Sequence, residues 1–105
     1  MPNNESEFKG RVAIVTGAGR GMGRAVAHRL AAGGAKLVVN DVSQQSAESV
    51  ATELRGLGTE AFSAPGDISK STDVNDMMDT AITNFGVAHI LVNNAGILRP
   101  TAVID

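Results

Sequence analysis

Between Val12 and Gly23 an unbroken apolar, β-branched run gives way to four glycines at alternate positions: Val12-Ala13-Ile14-Val15-Thr16-Gly17-Ala18-Gly19-Arg20-Gly21-Met22-Gly23. A continuous apolar run is the pattern of a strand buried on both faces, and Arg11–Thr16 reads as such a strand. Gly21–Ala32 reads as a helix, with Met22, Val26 and Leu30 at i, i+4 and i+8 and alanines between them. A strand that runs through a glycine turn into a helix brings backbone N–H groups at the helix N-terminus close to any phosphate placed there. Glycines could serve only to turn the chain. Four of them argue against that reading, because each glycine at a helix start costs up to about 1 kcal/mol relative to alanine. The turn therefore points to a phosphate-bearing nucleotide.

The rest of the chain repeats the alternation. Gly33-Gly34 stops the first helix, and Lys36–Asn40 is a second apolar strand. Ser43 is placed to cap a helix running to about Leu57, with Ala47, Val50, Ala51 and Leu54 on one face and Gly56 and Gly58 at its end. Glu60–Ala64 is a short third strand, and Pro65-Gly66 turns the chain. Ser71 or Thr72 can cap a third helix whose apolar stripe is Val74, Met77, Met78, Ala81, Ile82 and Phe85, ended by Gly86. Ile90–Asn93 is a fourth strand, and Gly96–Asp105 trails off as loop. Residues 1–10 are a polar lead-in, and residues 11–105 form one partial domain.

The order β-α-β-α-β-α-β with short connections implies an α/β fold with parallel strands, right-handed crossovers and helices on both faces. The expected strand order is 3-2-1-4, the first half of a doubly wound sheet. Ligands bind such sheets beyond the carboxyl ends of the strands, where the order reverses. That point lies between the first and fourth strands, beside the glycine turn and the Asn93–Gly96 segment.

Composition narrows the partners. Nine basic and eleven acidic residues give a formal net charge of −2, so no basic field exists to hold nucleic acid. The chain has no cysteine, which excludes disulfides and thiolate chemistry and fits a reducing compartment, so the expected location is cytoplasmic. The polar, acidic start Met1-Pro2-Asn3-Asn4-Glu5-Ser6-Glu7 is unlike a signal peptide. No apolar run approaches the roughly 20 residues of a membrane span.

The glycine spacing is itself informative. G-x-G-x-x-G does not match, because Met22 and Arg24 stand where the third glycine would fall. T-G-x-x-x-G-x-G does match, at Thr16, Gly17, Gly21 and Gly23. With Asn93-Asn94-Ala95-Gly96 after the fourth strand and Asp67-Ile68 after the third, the chain resembles the short-chain dehydrogenase/reductase family from about Phe8 to Pro100. The resemblance implies a Rossmann-type fold and an oxidoreductase that moves a hydride between a nicotinamide cofactor and an alcohol or ketone. It further implies that Gly17, Gly21 and Gly23 line the pyrophosphate, with Arg20 and Met22 in the same turn, and that Asp67 and Ile68 flank the adenine. Asn93 would brace the central strands, Ala95 and Gly96 would pass near the adenosine ribose, and Thr16 would be structural. The family often carries an acid just before the fourth strand, where this chain has His89. His89 reads as a surface or strand-edge residue, and His28 as part of a solvated helix face.

Asp41 at the end of the second strand can accept hydrogen bonds from ribose hydroxyls and repel a 2′-phosphate. Two unit charges about 4 Å apart interact by roughly 4 kcal/mol at an effective dielectric near 20. Arg20 points the other way, since a base before the second motif glycine often accompanies NADP in the family. A charged hydrogen bond contributes about 1.5–3 kcal/mol, so the carboxylate outweighs it and the expected cofactor is NAD rather than NADP. A capping role for Asp41 at the following helix is the alternative.

The family's proton donor is a tyrosine whose pKa is lowered by a lysine four residues on, supported by a serine and an asparagine. This chain contains no tyrosine, and the resemblance places that segment past a fifth strand, so no catalytic residue is carried over. Asp73, Asp76 and Asp79 recur three apart on one helix, the pattern of a solvated face rather than a metal site. Two readings remain: the cofactor-binding part of a dehydrogenase acting on a small alcohol or ketone, or a non-catalytic nucleotide-binding module. A methyltransferase-type domain is weaker, because it would not carry Asn93-Asn94-Ala95-Gly96. An exposed Ile90-Leu91-Val92 edge would invite strand pairing with a second copy, so a homo-oligomer is expected.

Overall fold

The structure, a computed structural model, describes residues 7–94. Seven elements alternate along the chain: β1 (Val12–Val15), α1 (Gly21–Ala32), β2 (Lys36–Val39), α2 (Gln44–Gly56), β3 (Ala61–Ser63), α3 (Ser71–Phe85) and β4 (Ile90–Val92). The strands form one sheet in the order β3-β2-β1-β4, and every pairing is parallel. The fold class and order expected from the sequence are the ones observed. The strands are shorter by a residue or two than the apolar runs imply, because the flanking residues leave the ladder to form the turns at its ends.

Side chains alternate across the sheet with the period of two that a strand imposes. Ala13, Val15, Leu37, Val39 and Ala61 face α1 and α2. Ile14 and Val38 face α3, where Met77 and Ala81 cover them. The α1–α2 side is rich in alanine, with Ala27, Ala47 and Ala51 fully buried, so both helices can approach the sheet closely. On the other side Phe62 meets Phe85 edge-on, with ring centroids 5.4 Å apart.

Two helix details differ from the sequence reading. Met22 is 72% exposed, and the face of α1 turned to the sheet is Gly23, Ala27 and Leu30. The helix lies too close to the glycine turn for a side chain at the first of these positions, so its buried stripe is rotated by one residue from Met22–Val26–Leu30. In α3 the cap position falls on Lys70, with no side-chain cap. Neither Ser71 nor Thr72 occupies it, because both already lie in the helix or within its first turn. Ile82 is 50% exposed, leaving the apolar stripe of α3 partly uncovered.

Ser43 caps α2 as expected, its hydroxyl accepting the Ser46 N–H at 3.1 Å. On the solvent side Glu53 of α2 holds α1 through a two-pronged contact with Arg24, both at 3.0 Å, and a 2.8 Å contact with His28. His28 is thus engaged rather than simply solvated. At the start of the structure Phe8 packs against the α1–α2 core and lies 5.7 Å from the Arg29 guanidinium.

The entry into β4 depends on His89. Its backbone N–H donates to the Val12 carbonyl at 2.8 Å, and its ring Nδ1 accepts the Val12 N–H at 2.9 Å. The imidazole therefore takes the place of a ladder carbonyl, with its proton on Nε2. Val12 is buried, so loss of the ring strands a buried donor. His89→Ala is expected to cost about 1–3 kcal/mol in urea unfolding, while His89→Asn, which keeps an acceptor, recovers part of the loss.

Candidate cofactor site

Parallel pairing sends the carboxyl ends of all four strands to one end of the sheet. There a cleft of about 260 Å³ opens. Gly17 and Arg20 line it from the turn after β1, Asn40, Asp41 and Val42 from the end of β2, residues 66–69 from the turn after β3, and Asn94 from the end of β4. The cleft sits where the strand order reverses, the expected ligand position in such a sheet.

The glycine turn is built for close approach. Gly17 and Gly21 adopt positive φ of 60° and 57°, a region most side chains avoid. A Cβ at Gly23 would collide with the Gly17 carbonyl oxygen and stand 2.7 Å from Asn94 Nδ2. No side chain caps α1, and its first turn carries no acid. The orphan N–H groups of that turn are left with neither a capping oxygen nor a competing charge, which fits a pyrophosphate.

Asp41 is the buried charge of the site, its side chain 5% exposed. Its Oδ2 accepts the Gly19 N–H at 3.0 Å, and its Oδ1 accepts the Ser43 N–H at 3.0 Å. Arg20 Nη2 stands 3.9 Å from Oδ1, but that side chain is 73% exposed, so the pairing is weak. Asp41 thus joins the glycine turn to α2 without being its cap, a role Ser43 takes.

The turn after β3 presents Asp67 and Ile68. Asp67 Oδ1 accepts both the backbone N–H and the hydroxyl of Ser69, at 2.9 and 2.7 Å. These two bonds, the backbone one foremost, hold the Asp67 carboxyl below its usual range. The Asp67 N–H in turn donates to Asp73 Oδ2 at 2.9 Å, so Asp73 leaves the solvated face expected for it and braces the turn. Asn40 was legible only as the end of an apolar run. Its Nδ2 donates to the carbonyls of Ala64 at 2.9 Å and Gly66 at 3.3 Å, tying the β3 turn to β2. Ser69 could have been found, since an Asp followed two residues later by Ser is an Asx-turn pattern. Asn40 carried no periodic signal.

Across the switch point Thr16 is buried. Its hydroxyl lies 3.1 Å from Asn93 Oδ1 and accepts the Asn94 N–H at 2.8 Å, which clasps the end of β4 to the end of β1. Of the site residues expected from the sequence, Gly17, Arg20, Asp41, Asp67 and Ile68 line the cleft, whereas Gly21, Met22, Gly23 and Asn93 lie outside its wall. Ala95 and Gly96 lie outside the described residues. Among the described residues no His, Asp or Glu group gathers as a metal site, and no helix is long and apolar enough to cross a membrane.

The comparisons with known proteins agree with this fold. The short chain dehydrogenase family pattern matches residues 11–105. A versicolorin reductase of Emericella nidulans is 44% identical over 90 residues, covering 85% of this chain and 34% of that protein. A hydroxysteroid dehydrogenase from Escherichia coli superposes with a TM-score of 0.84 at 36% identity, over 96% of this chain and 46% of that one. A 3-ketoacyl-(acyl-carrier-protein) reductase from Brucella melitensis, solved with NADH, gives a TM-score of 0.79 at 45% identity, over 86% of this chain and 36% of that one. The chain therefore spans between a third and a half of the length of these relatives. Matched by the family pattern over residues 11–105 and by solved structures at 36–45% identity, the chain belongs to the short-chain dehydrogenase family of oxidoreductases, of which it carries the NAD(P)-binding Rossmann region.

Proposed function

We propose that this chain binds NAD(H) as the cofactor-holding part of an oxidoreductase that moves a hydride between nicotinamide and a small alcohol or ketone. The observation that carries the proposal is the meeting of the glycine turn, Asp41 and Asp67-Ile68 around one cleft at the switch point. The NADH complex of the Brucella relative supports it. The nicotinamide ring, when bound, supplies the hydride acceptor or donor. The residues of this chain hold the adenosine and pyrophosphate end, with Ala95 and Gly96 assigned to the ribose side and Asn93 to bracing the strands.

NAD is proposed over NADP because the buried Asp41 carboxylate faces the cleft while Arg20 extends into solvent. The chain contains neither tryptophan nor tyrosine, so near-ultraviolet fluorescence on titration comes almost entirely from the reduced nicotinamide. NADH is expected to bind roughly tenfold or more tightly than NADPH; the reverse order overturns the assignment. With no tyrosine to serve as the family's proton donor, the 105 residues are proposed to bind cofactor without turning over a ketone, and unchanged NADH absorbance with a ketone present is the expected result. A non-catalytic module makes the same binding prediction.

Self-association and a cytoplasmic location belong to the same proposal. Among the described residues Ile90, Leu91 and Val92 are only half-buried on a strand at the edge of the sheet, so light scattering is expected to find species larger than a monomer.

Protonation of the adenine side follows from Asp67. Its folded pKa is lowered, so its contribution to stability is present at neutral pH and is lost as pH falls through that lowered value. Ser69→Ala removes the hydroxyl bond and is expected to move the Asp67 titration, followed by carboxyl NMR, back toward the ordinary range.

A further inference from the structure

Asp41 sits where a ribose would be read, and each of its oxygens already accepts one backbone N–H. Oδ2 takes the Gly19 N–H and Oδ1 the Ser43 N–H. One residue earlier in the turn, the Ala18 N–H donates to the Asn40 carbonyl at 2.7 Å. Two successive amides of the glycine turn are thus held by the end of β2. The packing is equally close: a Cβ at Gly19 would stand 2.5 Å from Ser46 Cβ and 2.8 Å from Asp41 Oδ2. Ser46 is itself fixed in the first turn of α2 by the Ser43 hydroxyl. The turn, the carboxylate and the N-terminus of α2 form one packed unit, and a negative charge at that helix end is electrostatically favoured.

We infer that Asp41 is a positioning residue for the phosphate-binding turn, acting through the Gly19 amide and separately from any contact with the ribose. The inference rests on the cofactor reading above for its ligand, but not for the contact itself. It divides the turn into two halves. The Ala18 and Gly19 amides are anchors and point to β2, so the pyrophosphate takes its donors from the Gly21–Gly23 half. Gly19 is required for contact with protein rather than with ligand. Replacing Asp41 to alter cofactor preference then disturbs pyrophosphate binding as well, because the same carboxylate shapes the turn.

Ligands that lack the ribose hydroxyls separate the two roles. ADP and 2′,3′-dideoxy-ADP are titrated by calorimetry into the wild-type protein, Asp41→Ala, Gly19→Ala and the double variant. A positioning role predicts that Asp41→Ala weakens dideoxy-ADP as well as ADP, by about 10- to 100-fold for the lost charged contact. Gly19→Ala is expected to give a similar loss, and the double variant no more than either single one. A loss confined to ADP, with dideoxy-ADP bound equally by wild type and Asp41→Ala, overturns the inference.

Asp41→Asn, which keeps one acceptor oxygen and the side-chain shape, guards against simple unfolding and is expected to recover part of the affinity. The Gly19 amide provides a readout without ligand: its hydrogen-exchange protection is expected to fall in Asp41→Asn while that of β1 holds. Unchanged protection at Gly19 overturns the inference even where no nucleotide binds, whereas absent binding with lost protection counts against the cofactor reading alone.

Discussion

The close approach of α1 to the turn that precedes it governs the rest of this structure. At Gly23 the helix comes so near the Gly17 carbonyl and Asn94 that no side chain fits. That contact fixes the angle at which α1 leaves β1, and with it the thin alanine layer between α1, α2 and the sheet. It also brings the ends of β1 and β4 together, where Thr16 clasps Asn93 and Asn94. The cleft exists because these approaches hold four strand ends at one level.

Polar groups buried near the cleft are spent mostly on one another. Asn40 holds the carbonyls of the β3 turn, Asp73 holds the Asp67 amide, and Asp41 holds Gly19 and Ser43. No buried side-chain polar atom among the described residues lacks a partner. A site wired in this way is pre-organised, so a ligand meets groups that are already oriented and the ordering cost on binding is reduced.

The backbone of the fold was legible because its signals are local. Apolar runs, glycine stops and the Ser43 cap mark the elements without reference to the rest of the molecule, and alternation of strand and helix then restricts the topology. What the sequence hid were residues whose role depends on distant partners. Met22 has the spacing of a core residue, but the approach at Gly23 rotates the helix so that Met22 faces solvent. His89 stands where the family often has an acid, and only the position of Val12 reveals that its ring completes the ladder. Asp41 was legible as a charge facing a ligand. Its grip on Gly19 was not, because the spacing of Asp41 and Gly19 along the chain says nothing about their meeting.

The two faces of the sheet differ in how much change of side-chain volume they can absorb. The α1–α2 face packs seven alanines among valines and leucines, and adding a methylene to such a close-packed layer typically costs about 1–3 kcal/mol. The α3 face is packed with Met77, Met78, Val74 and Phe85, and flexible thioether side chains re-pack readily around new neighbours. Changes of side-chain volume are therefore tolerated unequally on the two sides of the molecule. The face behind the glycine turn and Asp41 leaves little room for a larger side chain, while the opposite face can re-pack around a new neighbour.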